Sequence, residues 1–215
     1  LTYPDLEPPF ICLVASGGHS HIIEVLDYDR FRLLGHTRDD AAGEAFDKVA
    51  RALGLPYPGG PELEKLALTG DTMKYPFHSA LNSSAEEADF SFSGIKTAVV
   101  NLMHNAAQKG EALSKADIAA SFQRAVCDTL TLKAVHAAKE HGFNTLALAG
   151  GVSANRALRS SLALACEEQG IRFCCPDFRY CTDNAAMIAC AGHYALMTGE
   201  LSGLDLNAAP DLELV

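Results

Sequence analysis

Two glycine-bearing turns are the first places in this chain where chemistry could sit. Ser16-Gly17-Gly18 lies between two strand-like runs. Glycine tolerates positive φ and lets backbone N–H groups approach a ligand closely, and the serine hydroxyl adds a donor. Such a turn can cradle a phosphate, although an ordinary hairpin turn has the same make-up. Ala149-Gly150-Gly151-Val152-Ser153-Ala154-Asn155 ends a strand, turns on two glycines and opens a helix. A helix N-terminus presents unpaired N–H groups and the positive end of the dipole, which suit a phosphate or a ribose-linked group. Ser153 fits an N-cap; Asn155 fits either a cap or a side-chain amide aimed at a ligand. The dinucleotide fingerprint G-x-G-x-x-G is absent.

Acidic residues supply the second set of candidates. Asp47 lies one helical turn after Gly43 and Glu44, where it could accept hydrogen bonds from a ribose; a solvated acid on an amphipathic helix reads identically. Gly60, between Gly59 and Pro61, is expected to need an unusual backbone. Asp183 precedes Asn184 near the start of the last helix, where a carboxylate complements the dipole and could also meet a metal. One carboxylate holds no transition metal well. His136, Glu140 and His141 are no inverted metalloprotease motif, because His136 and His141 diverge by about 140° around a helix. His19 and His21 share one strand face and read as a polar pair on an exposed sheet edge.

These residues need elements to hold them. Strands are expected at 10–15, 19–26 and 31–37, forming an antiparallel meander. A helix is predicted over 40–53. Tyr57-Pro58-Gly59-Gly60-Pro61 reads as a rigid loop, followed by a short helix over 62–68, and 69–92 as loop with isolated strands. Helices at 94–108 and 115–140 follow, the second opened by a capping box of Ser114 and Asp117. Then come a strand at 145–149, a helix over 153–169, a strand at 171–175 and a helix over 183–197. A strand–helix–strand crossover implies parallel pairing, so the sheet is mixed and covered by helices. That order is one half of the duplicated actin, Hsp70 and sugar-kinase ATPase superfold, an α/β fold, with residues 39–142 a mainly helical insertion.

Composition narrows the function. The 215 residues are 48% hydrophobic and 20% charged, with no long run of one sign, which fits a folded core. A formal net charge of −10 argues against a stand-alone nucleic-acid binder. Any RNA surface must come from a missing segment, a partner or a local patch. The seven cysteines include no C-x-x-C pair, and they read as reduced, mostly buried thiols of a cytoplasmic protein. Cys174 and Cys175 should face opposite sides of a strand. No membrane span or signal peptide is visible. The opening Leu1-Thr2-Tyr3-Pro4 reads as a linker entering a strand, as expected of a fragment or of a processed chain, and the superfold's other half is expected to be missing because the order of elements supplies only one.

Six segments occur in order: Val14-Ala15-Ser16-Gly17-Gly18-His19, Asp39 through Lys48, Tyr57-Pro58-Gly59-Gly60-Pro61, Phe90-Ser91-Phe92-Ser93-Gly94-Ile95-Lys96, Ala149 through Arg156, and Cys181-Thr182-Asp183-Asn184-Ala185-Ala186-Met187. No one of them singles out a family; six in this order do. Together they resemble the tRNA N6-threonylcarbamoyladenosine transferase family, called TsaD in bacteria and formerly named an O-sialoglycoprotein endopeptidase. The resemblance runs from about Phe10 nearly to the C-terminus. It implies an acyltransferase acting on threonylcarbamoyl-AMP, a mixed anhydride. The N6 of the adenosine next to the anticodon, in tRNAs reading codons that start with A, attacks the carbamoyl carbon, and AMP leaves.

Carried over by position, the resemblance implies that Val14, Ala15, Ser16, Gly17 and Gly18 line the substrate. It implies that Asp47, Gly60, Asn155 and Glu64 contact the nucleotide or the threonylcarbamoyl group. Asp183 is the implied ligand of one divalent metal, iron or zinc, beside an adenine nucleotide (threonylcarbamoyl-AMP, AMP, ATP or ADP). The family's His-x-x-x-His pair has no counterpart upstream of the Ser-Gly-Gly turn, so the isolated chain is expected to hold metal weakly and to be inactive. Implied partners are tRNA, a paralogous actin-like scaffold (TsaB-like), an ATPase (TsaE-like) and a separate synthase of threonylcarbamoyl-AMP, with no membrane. The uncovered cleft face predicts a dimer. A non-catalytic scaffold, a sugar or acetate kinase and a peptidase are the rival readings.

Overall fold

The computed structural model describes residues 1–78, 84–199 and 201–208. Five strands form one sheet in the order β3-β2-β1-β4-β5: β1 Phe10–Ala15, β2 Ser20–Val25, β3 Phe31–His36, β4 Thr145–Ala149 and β5 Arg172–Cys174. The first three pair antiparallel, and β1–β4 and β4–β5 pair parallel, so the expected mixed sheet is present. Alternation explains β1: Ile11, Leu13 and Ala15 point into the core, while Phe10, Cys12 and Val14 are half-buried on the other face. Because β2 lies between β1 and β3, its His21 is not at a sheet edge, contrary to expectation. The rings of His19 and His21 instead meet edge to face at 5.2 Å, and His21 stands opposite His36. Burial, then the neighbouring His19 and His36, hold His21 below the ordinary imidazole range.

Four helices separate β3 from β4: α1 Ala42–Ala52, α2 Gly59–Ala67, α3 Ser93–Lys109 and α4 Lys115–Glu140. Helix α4 buries residues around much of its circumference and packs against α2, α5 (Arg156–Glu168) and β1. One core joins β1, β4 and helices α1 to α5. The final helix, α6 (Ala185–Thr198), buries none of its residues and leaves Ile188, Leu196 and Met197 exposed; Tyr194 stacks on Tyr28 at 3.8 Å. Among the described residues no helix is long and apolar enough to cross a membrane. All seven cysteines are free thiols, four of them buried; burial pushes the Cys12 thiol up to about 12 and Cys166 to about 11. Cys174 is buried and Cys175, just past the strand end, is half-buried.

Helix starts differ from expectation for identifiable reasons. Helix α1 starts at Ala42 and not at the predicted Asp40; Asp39 serves α3, and Asp40 pairs with one lysine of α1 and one of α3. Asp39 accepts hydrogen bonds from the Ser91 hydroxyl (2.5 Å) and from the N–H groups of Phe92 (2.8 Å) and Ser93 (3.0 Å), capping α3 from outside. Asp40 takes ion pairs from Lys48 (2.7 Å) and Lys96 (2.8 Å). The capping box at α4 is half made: Ser114 accepts from the Asp117 N–H at 3.2 Å, but the Asp117 carboxylate turns to the Asp71 N–H at 2.9 Å. In the stretch read as loop, Phe90 makes an isolated parallel bridge to Thr37, and part of it (79–83) lies outside the described residues.

A pH dependence follows from Asp40. Burial pushes its carboxyl up, but hydrogen bonds from Lys48 and Lys96 outweigh burial and hold it below the usual carboxylate range. A folded pKa below the unfolded one contributes stability above about pH 4, and that contribution is lost as pH falls through the folded value. Asp40→Asn should melt about 2–6 °C lower at pH 7, the equivalent of about 1–2 kcal/mol of charge-assisted bonding. The gap to the unaltered chain should close as pH falls from 5 towards 3. A gap that stays constant across that range refutes the assignment.

Candidate active site

Parallel pairing of β1 with β4 brings both glycine turns to the same edge of the sheet. Val14 is in register with Ala149, so Ser16-Gly17-Gly18 and Gly150-Gly151 leave the carboxyl ends of neighbouring strands. In open α/β sheets this is where ligands bind. A cavity of about 520 Å³ lies there, lined by the two turns, the starts of α1 and α2, and Thr182 and Asp183. A cavity of about 600 Å³ between the 72–78 segment and α4 is somewhat larger, but neither glycine turn reaches it.

The glycines fall into two groups with different physical reasons. Some are required by the chain itself. Gly150 has φ of +90°, and a Cβ there would lie 2.4 Å from the Ala15 carbonyl oxygen. At Gly43 a Cβ would lie 2.7 Å from the Ser16 carbonyl oxygen, which already accepts the Gly43 N–H at 3.0 Å. At Gly59 it would lie 2.5 Å from the Ala50 Cβ, where α1 and α2 cross closely. Gly17, Gly60 and Gly151 are the contrary case: each lines the cavity, none has positive φ, and a Cβ at any of them would meet no atom within 4 Å. Nothing inside the chain requires glycine at these three positions. They keep backbone exposed along the cavity wall, which is what a closely approaching ligand needs.

The segment Tyr57 to Pro61, expected to be rigid loop, holds the first turn of α2, and Gly60 has ordinary helical backbone. Proline is tolerated in a first helical turn because its missing N–H has no intrahelical partner there. The cap comes from a distant residue: Asp47 Oδ1 accepts from the N–H groups of Gly59 (2.8 Å) and Gly60 (3.2 Å). Asp47 Oδ2 has no hydrogen-bond partner among the described residues. Glu64, on α2, accepts the Arg156 N–H at 2.7 Å and so ties α2 to the start of α5.

After β4 the chain does not enter the helix at Ser153. Residues Gly151–Ala154 make a 3-10 turn, and Asn155 caps α5 by accepting the Leu158 N–H at 3.0 Å. The amide of Asn155 donates to Gln123 Oε1 at 2.9 Å. Asn155 borders the cavity with both polar atoms already engaged, so its truncation removes a cap and a buried bond together. Ser16 behaves similarly: its hydroxyl accepts from the N–H groups of His19 (2.9 Å) and Gly18 (3.3 Å), closing its own turn. Val14, Ala15 and Gly18 do not line the cavity, whereas Ser16, Gly17, Asp47, Gly60, Glu64, Asn155 and Asp183 do.

Asp183 is exposed, and its carboxylate has no partner among the described residues. Helix α6 starts after it, at Ala185, capped by Asn184, which accepts the Met187 N–H at 3.1 Å. The loop carrying Asp183 is anchored by Arg159, which donates to the carbonyls of Ser153 and Pro176 (2.7 Å to the latter) and to Cys181 Sγ at 3.0 Å. Sequence reasoning missed Arg159 and Gln123, because each acts on a residue distant in the chain. Asp47, Glu64 and Asp183 all border the cavity, but no group of three His, Cys, Asp or Glu side chains converges to hold a metal among the described residues. The residues present do not fit a resident metal by themselves.

The family model described as TsaD: tRNA N6-adenosine threonylcarbamoyltransferase matches residues 1–190. The protein of that name from Caldicellulosiruptor saccharolyticus is 51% identical over 215 residues, covering 100% of this chain and 63% of the relative. That from Clostridium perfringens is 49% identical over 216 residues, with the same two coverages. The chain thus spans 63% of the length of these relatives. Among solved structures, full-length HypF in its phosphate- and nucleotide-bound form superposes with a TM-score of 0.71 at 17% identity, covering 92% of this chain and 34% of that one. HypF of T. kodakarensis gives 0.66 at 16%, covering 90% and 35%. At these identities the likeness is one of fold, and it agrees with the actin-like fold expected from the order of elements.

Proposed function

The chain belongs to the tRNA N6-adenosine threonylcarbamoyltransferase family, and we propose that its glycine-walled cavity holds the adenylate part of threonylcarbamoyl-AMP during transfer to tRNA. The observation that carries this reading is the trio Gly17, Gly60 and Gly151, bare along one cavity although no internal contact demands it. Backbone N–H groups of the two strand-end turns offer donors to the phosphate, and the unengaged oxygen of Asp47 can accept from a ribose hydroxyl. The adenosine N6 attacks the carbamoyl carbon and loses a proton, while the bond to the phosphate oxygen breaks and AMP leaves. Donors aimed at the departing phosphate stabilise the charge that develops there. Asp47 and Glu64 act mainly by fixing α2 and α5 as two walls, and Arg159 by holding the loop of Asp183.

In the same reading, residues 39–142 are the helical insertion that supplies one wall. A metal would need ligands beyond Asp183, which the described residues do not supply. The tRNA, the scaffold and ATPase partners and the synthase belong to the whole enzyme. The apolar side chains of α6 and the open cavity mouth make up the face on which a second copy would pair.

Calorimetric titration of the chain with AMP tests the reading. One site per chain is expected, with competition by a non-hydrolysable threonylcarbamoyl-AMP analogue. Absence of binding at millimolar AMP would overturn the proposal that this part of the fold holds the nucleotide unaided.

A further inference from the structure

One surface cluster stands out on a chain whose formal charge is −10. Phe178 is 55% exposed. Beneath its ring lies the Arg159 guanidinium, 4.1 Å from the centroid, and Arg156 approaches at 6.0 Å. Arg159 is not free to swing away, since it is tied to the carbonyls of Ser153 and Pro176 and to the Cys181 sulfur. Arg156 is exposed on the first turn of α5. Arg179 is exposed beside the Tyr180 ring at 4.7 Å, and its one ion-pair partner among the described residues is Asp177 at 3.4 Å.

An exposed ring braced by an immobilised guanidinium is a preorganised stacking platform, with the exposed Arg156 guanidinium near its ring and the exposed Arg179 on the next residue, beside Tyr180. Unpaired nucleobases are recognised in this way: the base stacks on an aromatic face and arginines meet the adjoining phosphates. The position fits as well. Arg156 directly follows Asn155, its N–H is held by Glu64, and Phe178 to Tyr180 lead into Thr182 and Asp183; Asn155, Glu64, Thr182 and Asp183 all line the cavity.

We propose that Phe178, on its Arg159 brace, stacks a nucleobase of the RNA substrate next to the reacting adenosine, and that Arg156 and Arg179 hold the flanking phosphates. This rests on the reading of the cavity given above. It also explains how so acidic a chain presents a local surface to RNA.

The test is binding of a fluorescent RNA hairpin with unpaired adenosines in its loop, followed by anisotropy, with AMP calorimetry and melting curves run in parallel. Phe178→Ala should bind the hairpin about tenfold more weakly or worse, Phe178→Tyr should bind nearly as the unaltered chain does, and both should bind AMP unchanged. The double variant Arg156→Gln, Arg179→Gln should flatten the dependence of log affinity on log salt by about one to two. Unaltered hairpin affinity in Phe178→Ala overturns the inference, as does an unaltered chain that binds AMP but no hairpin. Failure of the unaltered chain to bind AMP strikes the cavity reading instead, so the two failures are distinguishable.

Discussion

Gly60→Leu should bind AMP at least about a hundredfold more weakly than the unaltered chain, a loss of about 2.7 kcal/mol or more, and should melt no lower. Both halves of this expectation come from one observation. Gly60 is a helical residue in the first turn of α2, and a Cβ there meets nothing within 4 Å. Leucine is therefore sterically acceptable to the chain, and it favours helix over glycine by about 0.7 kcal/mol, or about 2 °C in Tm. The side chain enters the cavity, however, where the ligand would have to be. The N–H that Asp47 accepts is kept. Unchanged AMP affinity would mean that the ligand does not approach this wall. A lower melting temperature would mean that the space is not open. A substitution that spares the fold and removes binding is a cleaner probe than Asn155→Ala, which disturbs a helix cap as well.

Gly150→Val should melt about 5–20 °C lower than the unaltered chain. Two penalties coincide at this position. The backbone sits at φ of +90°, a region that costs a β-branched residue about 1–3 kcal/mol. A Cβ would also lie 2.4 Å from the carbonyl oxygen and 2.8 Å from the carbonyl carbon of Ala15. Ala15 cannot yield easily, because it ends β1, is buried and is paired with Ser20 of β2. Overpacking against fixed backbone adds about 1–3 kcal/mol, so the sum of about 2–6 kcal/mol approaches the whole stability of an ordinary domain. Circular dichroism melting checks this, with Gly151→Ala as the neighbouring control. At Gly151 nothing lies within 4 Å and φ is not positive, so Tm should move by no more than about 2 °C. A Gly150→Val protein melting within a few degrees of the unaltered chain would refute the account of this turn.

The same pair of positions shows how far local sequence reaches. Gly150 and Gly151 are neighbours of one residue type in one motif, and no pattern in the sequence separates a glycine demanded by the strand beside it from one left bare towards a cavity. The difference depends on where β1 runs relative to β4. Asp47 is similar. Its spacing on α1 fits an exposed acid or a ligand contact, yet it caps α2 twelve residues away. Asn155 read as a cap or a ligand contact, and the partner that fixes it, Gln123, is thirty-two residues distant.

What the sequence determined by itself is what short-range physics controls. A short apolar run bounded by a glycine turn placed β1, the bounds of α4 and β4 followed from caps and glycine stops, and the order of strands and helices pointed to a mixed sheet of the actin-like kind. The six ordered segments carried the family. Tertiary structure alone decided which of those segments meet. Asp39 and Asp40 are joined to Ser91, Phe92, Ser93 and Lys96 across more than fifty residues. The Ser-Gly-Gly turn meets the Gly-Gly-Val-Ser turn because β1 and β4 pair parallel across more than a hundred intervening residues. Hydrogen-bond partners, cavity walls and the brace under Phe178 are all contacts of large sequence separation. A chain read locally states which groups it carries; the pairing of its strands decides which of them can act together.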